Sequence, residues 1–219
     1  MNKVILMLAL IFTGLVSAQD KQAELINEAN VLLTDLDSIK TVDGWKAKMG
    51  QFTDLKAKYP GSWIPSYYIS FCAVQASFVE NEKAIELKDS YIDLAENEWV
   101  GVESLCEQKD IVHVMNALIA NGRLGVDPEK RWMKYGKVFQ AELDAAKAIN
   151  KENPHINYLK GVSVYFTPKF ANGGAKNALP YLESAKERYA KLTVRSAEVP
   201  FWGEMYNNYF IAECQKQIK

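Results

Sequence analysis

Arginine and lysine interleaved with aromatic residues can grip carboxylates while offering flat contact area, and this chain concentrates that combination twice. Over residues 122–136 stand Arg123, Lys130, Arg131, Trp132, Lys134 and Tyr135, with Lys137 just beyond. Over 166–174 stand Lys169, Phe170 and Asn172. A guanidinium holds a carboxylate through two parallel hydrogen bonds, and Trp, Tyr and Arg dominate the energetics of protein interfaces. Both stretches read as long turns, so we expect a basic-aromatic edge that docks an acidic or extended segment of a peptide or protein partner. The competing reading is that the aromatics staple the turns to the body while the cations stay in water. A second aromatic set, Tyr67, Tyr68, Phe71, Tyr158 and Tyr165, recurs at helical spacing and gives an alternative, an internal pocket for a small molecule.

Other chemistries find no foothold. The two histidines, His113 and His155, stand far apart, and neither an H-E-x-x-H nor a C-x-x-C occurs, so no metal is expected. Gly173-Gly174 lacks the Lys-Ser/Thr of a phosphate loop and follows no strand, so no cofactor is expected either. No G-x-S-x-G or S-x-x-K is present to carry serine acylation. The acid pairs Asp89 with Asp93 and Glu183 with Glu187 lie at i, i+4 and read as solvated helix faces. We therefore expect a non-enzymatic protein. Its formal net charge is −1, which gives the chain as a whole no drive toward nucleic acid or an anionic membrane.

Three cysteines, Cys72, Cys106 and Cys214, fall on or near helical stripes. The odd number leaves one thiol over, and we expect small buried hydrophobes, with a single disulfide as the alternative. The chain opens with Lys3, an apolar run over 4–16 and Val16-Ser17-Ala18, which reads as a secretory leader (1–18) cleaved after Ala18. That run is short for a membrane span, and polar Gln19, Asp20 and Lys21 follow it, so no membrane anchor is expected. Residues 19–219 then form one exported domain, periplasmic or secreted, long enough to bury a full core.

Helices must position these residues. Periodicity of three and four residues runs from Gln22 onward, with no alternating stretch to suggest a sheet. The first helix carries Leu25, Ala29, Leu32, Leu33 and Leu36; the second, over 42–58, carries Trp45, Met49, Phe52 and Leu55 and stops at Tyr59-Pro60-Gly61. An aromatic third helix starts near Trp63. The fourth, over 82–99, places Ile85, Leu87, Tyr91, Leu94 and Ala95 inside, and the fifth, over 103–121, places Leu105, Ile111, Val114, Met115, Leu118 and Ile119 there. Residues 122–136 read as irregular apart from Asp127-Pro128, the cap of a short helix. The sixth long helix, over 137–150, carries Phe139, Leu143, Ala146 and Ile149. Asn153 caps a seventh that bears Tyr158, Gly161 and Tyr165, and Gly173-Gly174 precedes an eighth with Ala178, Leu182 and Ala185. A ninth, over 203–218, reads Met205, Tyr209 and Ala212.

Tyr158, Gly161 and Tyr165 followed by Ala178, Leu182 and Ala185 resemble a tetratricopeptide repeat, large and small residues in one helix and then A-x-x-x-[FYL]-x-x-A in the next. Phe139, Leu143 and Ala146 closed by Asn153-Pro154 form a weaker copy, and Trp45, Met49 and Phe52 before Tyr59-Pro60 another. The spacing of these landmarks departs from the regular 34-residue period. The resemblance implies an all-α fold, an α-solenoid of about four antiparallel helix pairs plus a C-terminal capping helix, that binds a partner in its concave face or along an edge. The Gly-Gly loop before a helix containing Ala-x-Pro-Tyr is also similar to exported repeat proteins of Bacteroidetes-type bacteria. In such a stack the turns inside pairs share one edge, so 122–136 and 166–174 should sit side by side.

Overall fold

The computed structural model describes residues 19–218; the expected leader and its cleavage site lie outside them. Among the described residues there are nine α-helices and no β-strand: α1 over 19–33, α2 Val42–Lys58, α3 Trp63–Val79, α4 Ile85–Val100, α5 Lys109–Val126, α6 Pro128–Ile149, α7 Pro154–Phe166, α8 Ala175–Ala190 and α9 Glu204–Ile218. Helices adjacent in sequence pack against each other, α3 on α4, α5 on α6 and α7 on α8, with α9 closing the stack against α8. The architecture is the expected all-α solenoid of helix pairs with a terminal helix.

Local chemistry sets the starts. Thr41, Ser62, Asp127 and Asn153 each accept a backbone N–H of the first turn of the helix they precede, at 3.1, 3.3, 3.3 and 3.0 Å respectively, which satisfies donors that have no partner within the helix. The stripe Trp45, Met49, Phe52 and Leu55 of α2 is buried as expected. Phe52 stacks on Tyr68 with centroids 5.0 Å apart, and Trp45 meets Phe71 edge-on at 5.9 Å, so two neighbouring helices are joined by ring contacts.

Residues 122–136 are not a long turn. Helix α5 continues to Val126, Asp127 alone makes the link, and α6 begins at Pro128. Gly122 acts as a spacer: a Cβ there would stand 2.5 Å from Ile92 Cδ1 and 3.2 Å from Val74 Cγ1, and its absence lets α5 approach α3 and α4. Helix α4 begins at Ile85 rather than 82, and a 3-10 turn over Glu103–Leu105 replaces the expected start of α5.

Gly161 plays the same part between α7 and α8, since a Cβ there would lie 2.6 Å from Leu182 Cδ2 and 3.3 Å from the Leu182 backbone nitrogen. Gly161→Ala should therefore lower the unfolding free energy by about 1–3 kcal/mol, the usual cost of overpacking. Urea titration checks this, and an unchanged midpoint would show that the two helices separate freely.

The irregular segment 191–203 folds back across the inner helices. Ala197 N donates to Asn30 Oδ1 (2.8 Å), Tyr68 donates to Ala197 O (3.3 Å), and Trp202 Nε1 donates to the Tyr67 hydroxyl (2.9 Å). The Trp202 ring sits 5.0 Å from Phe71, 4.1 Å from His155 and 6.1 Å from Tyr158. The chain thus lays its own segment over α1, α3 and α7.

Candidate functional site

The expected basic edge is partly consumed by internal pairing. Arg123 lies on α5 and is only 9% exposed. Its guanidinium donates to both carboxylate oxygens of Glu96 (2.9 and 2.7 Å), to Asp89 (2.9 Å) and to Asp93. These hydrogen bonds, Glu96 foremost, hold the arginine firmly protonated. Arg131 on α6 forms a bidentate pair with Asp89 at 2.6 Å on each arm, which draws the Asp89 carboxyl below its ordinary range. The two arginines lock α4, α5 and α6 together rather than awaiting a partner. Asp89 and Asp93, expected on a solvated face, are what they grip.

The remainder of that set stays at the surface. Lys130 is bridged to Asp127 at 2.9 Å, Lys134 lies 4.7 Å above the half-buried Tyr135 ring, and Trp132 is 62% exposed. The 167–174 turn is ordered by its own bonds. Gly174 N donates to Val164 O (2.9 Å), Gly173 N to Pro168 O (3.1 Å), and the Asn177 amide reaches Asn172 O and Gly173 O. Asn172 adopts the left-handed backbone (φ 63) that closes the turn, so its role is structural. Lys169 and Phe170 project from it, Phe170 at 93% exposure.

Lys160 of α7 donates to Gln140 of α6, which fixes the register of these antiparallel helices. Counting back from Gln140 to Trp132, and forward by the same number from Lys160, reaches Pro168. That count puts the start of α6, a helix rather than a loop, at about the same level along the stack as the 167–174 turn.

The alternative pocket set is distributed differently. Tyr67, Tyr68 and Phe71 are fully buried in the core and meet Trp202 or other rings directly. Burial pushes both tyrosine hydroxyls far above their ordinary pKa. A recess lined by Leu33, Leu36, Asp37, Tyr68, Phe201 and Trp202 has a volume of about 30 Å³, against the roughly 300 Å³ at which ligand pockets begin. Segment 191–203 packs Ala197 and Trp202 directly against these aromatics.

Tyr165 belongs to another group. At the end of α7, Tyr165 and Phe166 meet Phe210 of α9 at 5.1 and 5.7 Å, and Phe210 meets Tyr209 at 5.3 Å. Phe166 is 70% and Tyr209 55% exposed. Gln217 donates to the Tyr165 hydroxyl at 2.6 Å and steadies that ring. The four rings make an open aromatic surface at the last seam of the stack. Two of the four rings are mostly exposed, and exposed aromatic area is what a flat apolar molecule can stack on.

The backbone is similar to a haemophore. The HusA haemophore from Porphyromonas gingivalis aligns with a TM-score of 0.72 and 26% identity, over 87% of this chain and 92% of that one. No family model, the tetratricopeptide repeat included, matches the sequence, and no curated protein matches it.

Neither histidine faces this aromatic surface. His113 Nδ1 pairs with Glu142 Oε2 at 2.6 Å across α5 and α6. His155 is buried between Trp202 and Tyr189, its Nδ1 3.0 Å from Asn153 Oδ1, and burial depresses its pKa to about 3. The three cysteines are buried and free, with Cys106 raised to about 11 by burial. Sequence reasoning missed Phe166, Tyr209 and Phe210. The usable signal was adjacency: in Tyr165-Phe166 and Tyr209-Phe210, two neighbouring rings on a helix diverge by about 100°, so on a helix packed along one face the second ring of a pair turns away from it.

Proposed function

We propose that this chain is a non-catalytic exported binding protein that takes a flat, largely apolar ligand of the haem class on the open surface formed by Tyr165, Phe166, Tyr209 and Phe210. The observation that carries the reading is that cluster: four rings linked through Phe210, with Phe166 and Tyr209 mostly exposed. Contiguous exposed aromatic area on an otherwise well-packed body marks a binding surface. The similarity to a haemophore over most of both chains supports the ligand class. An exported address fits the leader expected at 1–18.

Each ring supplies stacking and apolar contact, and Tyr165 and Tyr209 add hydroxyls toward the polar rim of a macrocycle. Binding at an open surface requires no pocket to form, in keeping with the filled interior. Ferric protoporphyrin IX titrated into the apo protein should quench tryptophan emission and saturate. Phe166→Ala with Phe210→Ala should weaken the affinity at least about tenfold, the loss of two aromatic contacts, with helicity unchanged by circular dichroism. Equal affinity in the folded double variant would move the site elsewhere, and absence of saturable binding by the wild type would remove the ligand class.

A further inference from the structure

We propose that the edge built by the start of α6 and the 167–174 turn docks on an anionic lipid surface, with Trp132, Met133 and Phe170 entering the headgroup layer and Lys134, Lys137 and Lys169 facing lipid phosphates. This stands apart from the ligand reading above and uses different residues.

The apolar groups protrude: Phe170 is 93% exposed, and Trp132 and Met133 are 62% exposed each. At such exposures they project into solvent rather than line a groove. A folded protein partner would need a matching recess for each of them, whereas a bilayer surface conforms to side chains of different height. Trp and Phe flanked by Lys is the composition that settles at a membrane interface, the rings at headgroup depth and the lysine stems lying along apolar surface with their ammonium groups in water. Phe170 is also pre-positioned, because the hydrogen bonds of its turn fix the backbone that carries it.

Charge points the same way. Arg131 is neutralised by Asp89 and Lys130 by Asp127. Lys134, Lys137 and Lys169 remain exposed and join no ion pair among the described residues, with Glu129 the carboxylate left beside them. Since the whole chain carries a net charge of −1, attraction to an anionic surface is local to this edge and orients the molecule. Among the described residues no helix is long and apolar enough to cross a membrane, so the contact is peripheral.

The chain lacking residues 1–18 suits the test, since the buried core lies within residues 25–214. It is sedimented with vesicles of phosphatidylcholine alone and of phosphatidylcholine mixed equally with phosphatidylglycerol. Partition onto the anionic vesicles should be at least about tenfold stronger, as expected for a few lysines near a charged surface, and should fall with added salt. Tryptophan emission should shift to the blue, and Trp132→Phe should remove the shift, because Trp45, Trp99 and Trp202 are buried already and the half-buried Trp63 packs against the core. Trp132→Ser with Phe170→Ser should lower partition by roughly tenfold. Lys134→Gln, Lys137→Gln and Lys169→Gln together should erase the preference for anionic lipid. All of these positions are exposed, so the variants retain the fold. Equal binding to both vesicles, no binding to either, undiminished binding by the variants, or saturable capture of poly-glutamate without vesicle binding would each overturn the proposal.

Discussion

Arg123→Met should lower the unfolding free energy by about 3 kcal/mol at neutral pH, the low end of the cost of breaking a buried ion pair. The guanidinium fills a site that is 9% exposed on α5, and removing it leaves Asp89, Asp93 and Glu96 crowded on one face of α4 with nothing between them. Asp93 and Glu96 are themselves about half exposed, and water repays part of their loss, hence the low end of the range. Asp89 keeps Arg131, which spares it. Urea titration of both proteins gives the number. Adding Asp93→Asn and Glu96→Gln to the methionine variant should recover part of the loss, because the residual repulsion goes with the charges. A loss below about 1 kcal/mol, the scale of surface pairs, would show the network to be solvated rather than structural.

Acid should destabilise the fold well before its carboxylates titrate, through His155. The imidazole is held neutral in the fold, with its pKa depressed to about 3 by burial, while in the unfolded chain it titrates near the usual value of about 6.5. Between those values the unfolded state binds the extra proton. Stability is therefore complete above about pH 6.5 and falls as the pH drops toward 3, by ~1.4 kcal/mol per unit. Between pH 7 and 4.5 the protein should lose roughly 2–3 kcal/mol from this group. Asp89, whose carboxyl is depressed mainly by Arg131, contributes stability above the ordinary carboxylate range and loses it only at lower pH, so stopping at 4.5 separates the two. His155→Phe keeps a ring against Trp202 and Tyr189 and should flatten the slope over this interval. An identical slope in the variant would place the acid sensitivity elsewhere.

Where caps and stops are strong, the helices were legible from residue types alone. Helix α2 runs over Val42–Lys58 as read, because Thr41 caps it and Tyr59-Pro60-Gly61 ends it. The misreadings share a cause. Inside α4 and α9 the buried face includes polar residues that satisfy backbone carbonyls of a neighbouring element: Lys88 donates to Gly125 O at 3.1 Å, and Asn207 donates to Leu182 O at 2.9 Å. A hydropathy stripe skips such positions and selects the wrong face. Thus Leu87 and Leu94 of α4, and Met205 and Tyr209 of α9, were placed inward and are exposed. Ile85, Leu105 and Ile149 are exposed for want of a neighbour at helix ends. Glycine misled in the other direction, since Gly122 looks like punctuation and acts as a spacer between helices. Of the candidate edge, Lys130, Lys134, Lys169, Trp132 and Phe170 lie at the surface. Its two arginines could not be assigned, because pairing across α4, α5 and α6 depends on distances that local pattern does not encode.

Trp202 and the segment that carries it divide the interior. Its ring belongs to the large core built by α1 to α7, while Ala175, Ala178, Leu182, Ile211 and Cys214 form a smaller core beyond it. Tyr165 and Phe210, half of the aromatic surface, pack against that smaller core. The last seam of the solenoid therefore packs on a core of its own, distinct from the larger one that Trp202 joins, with Tyr158 touching both.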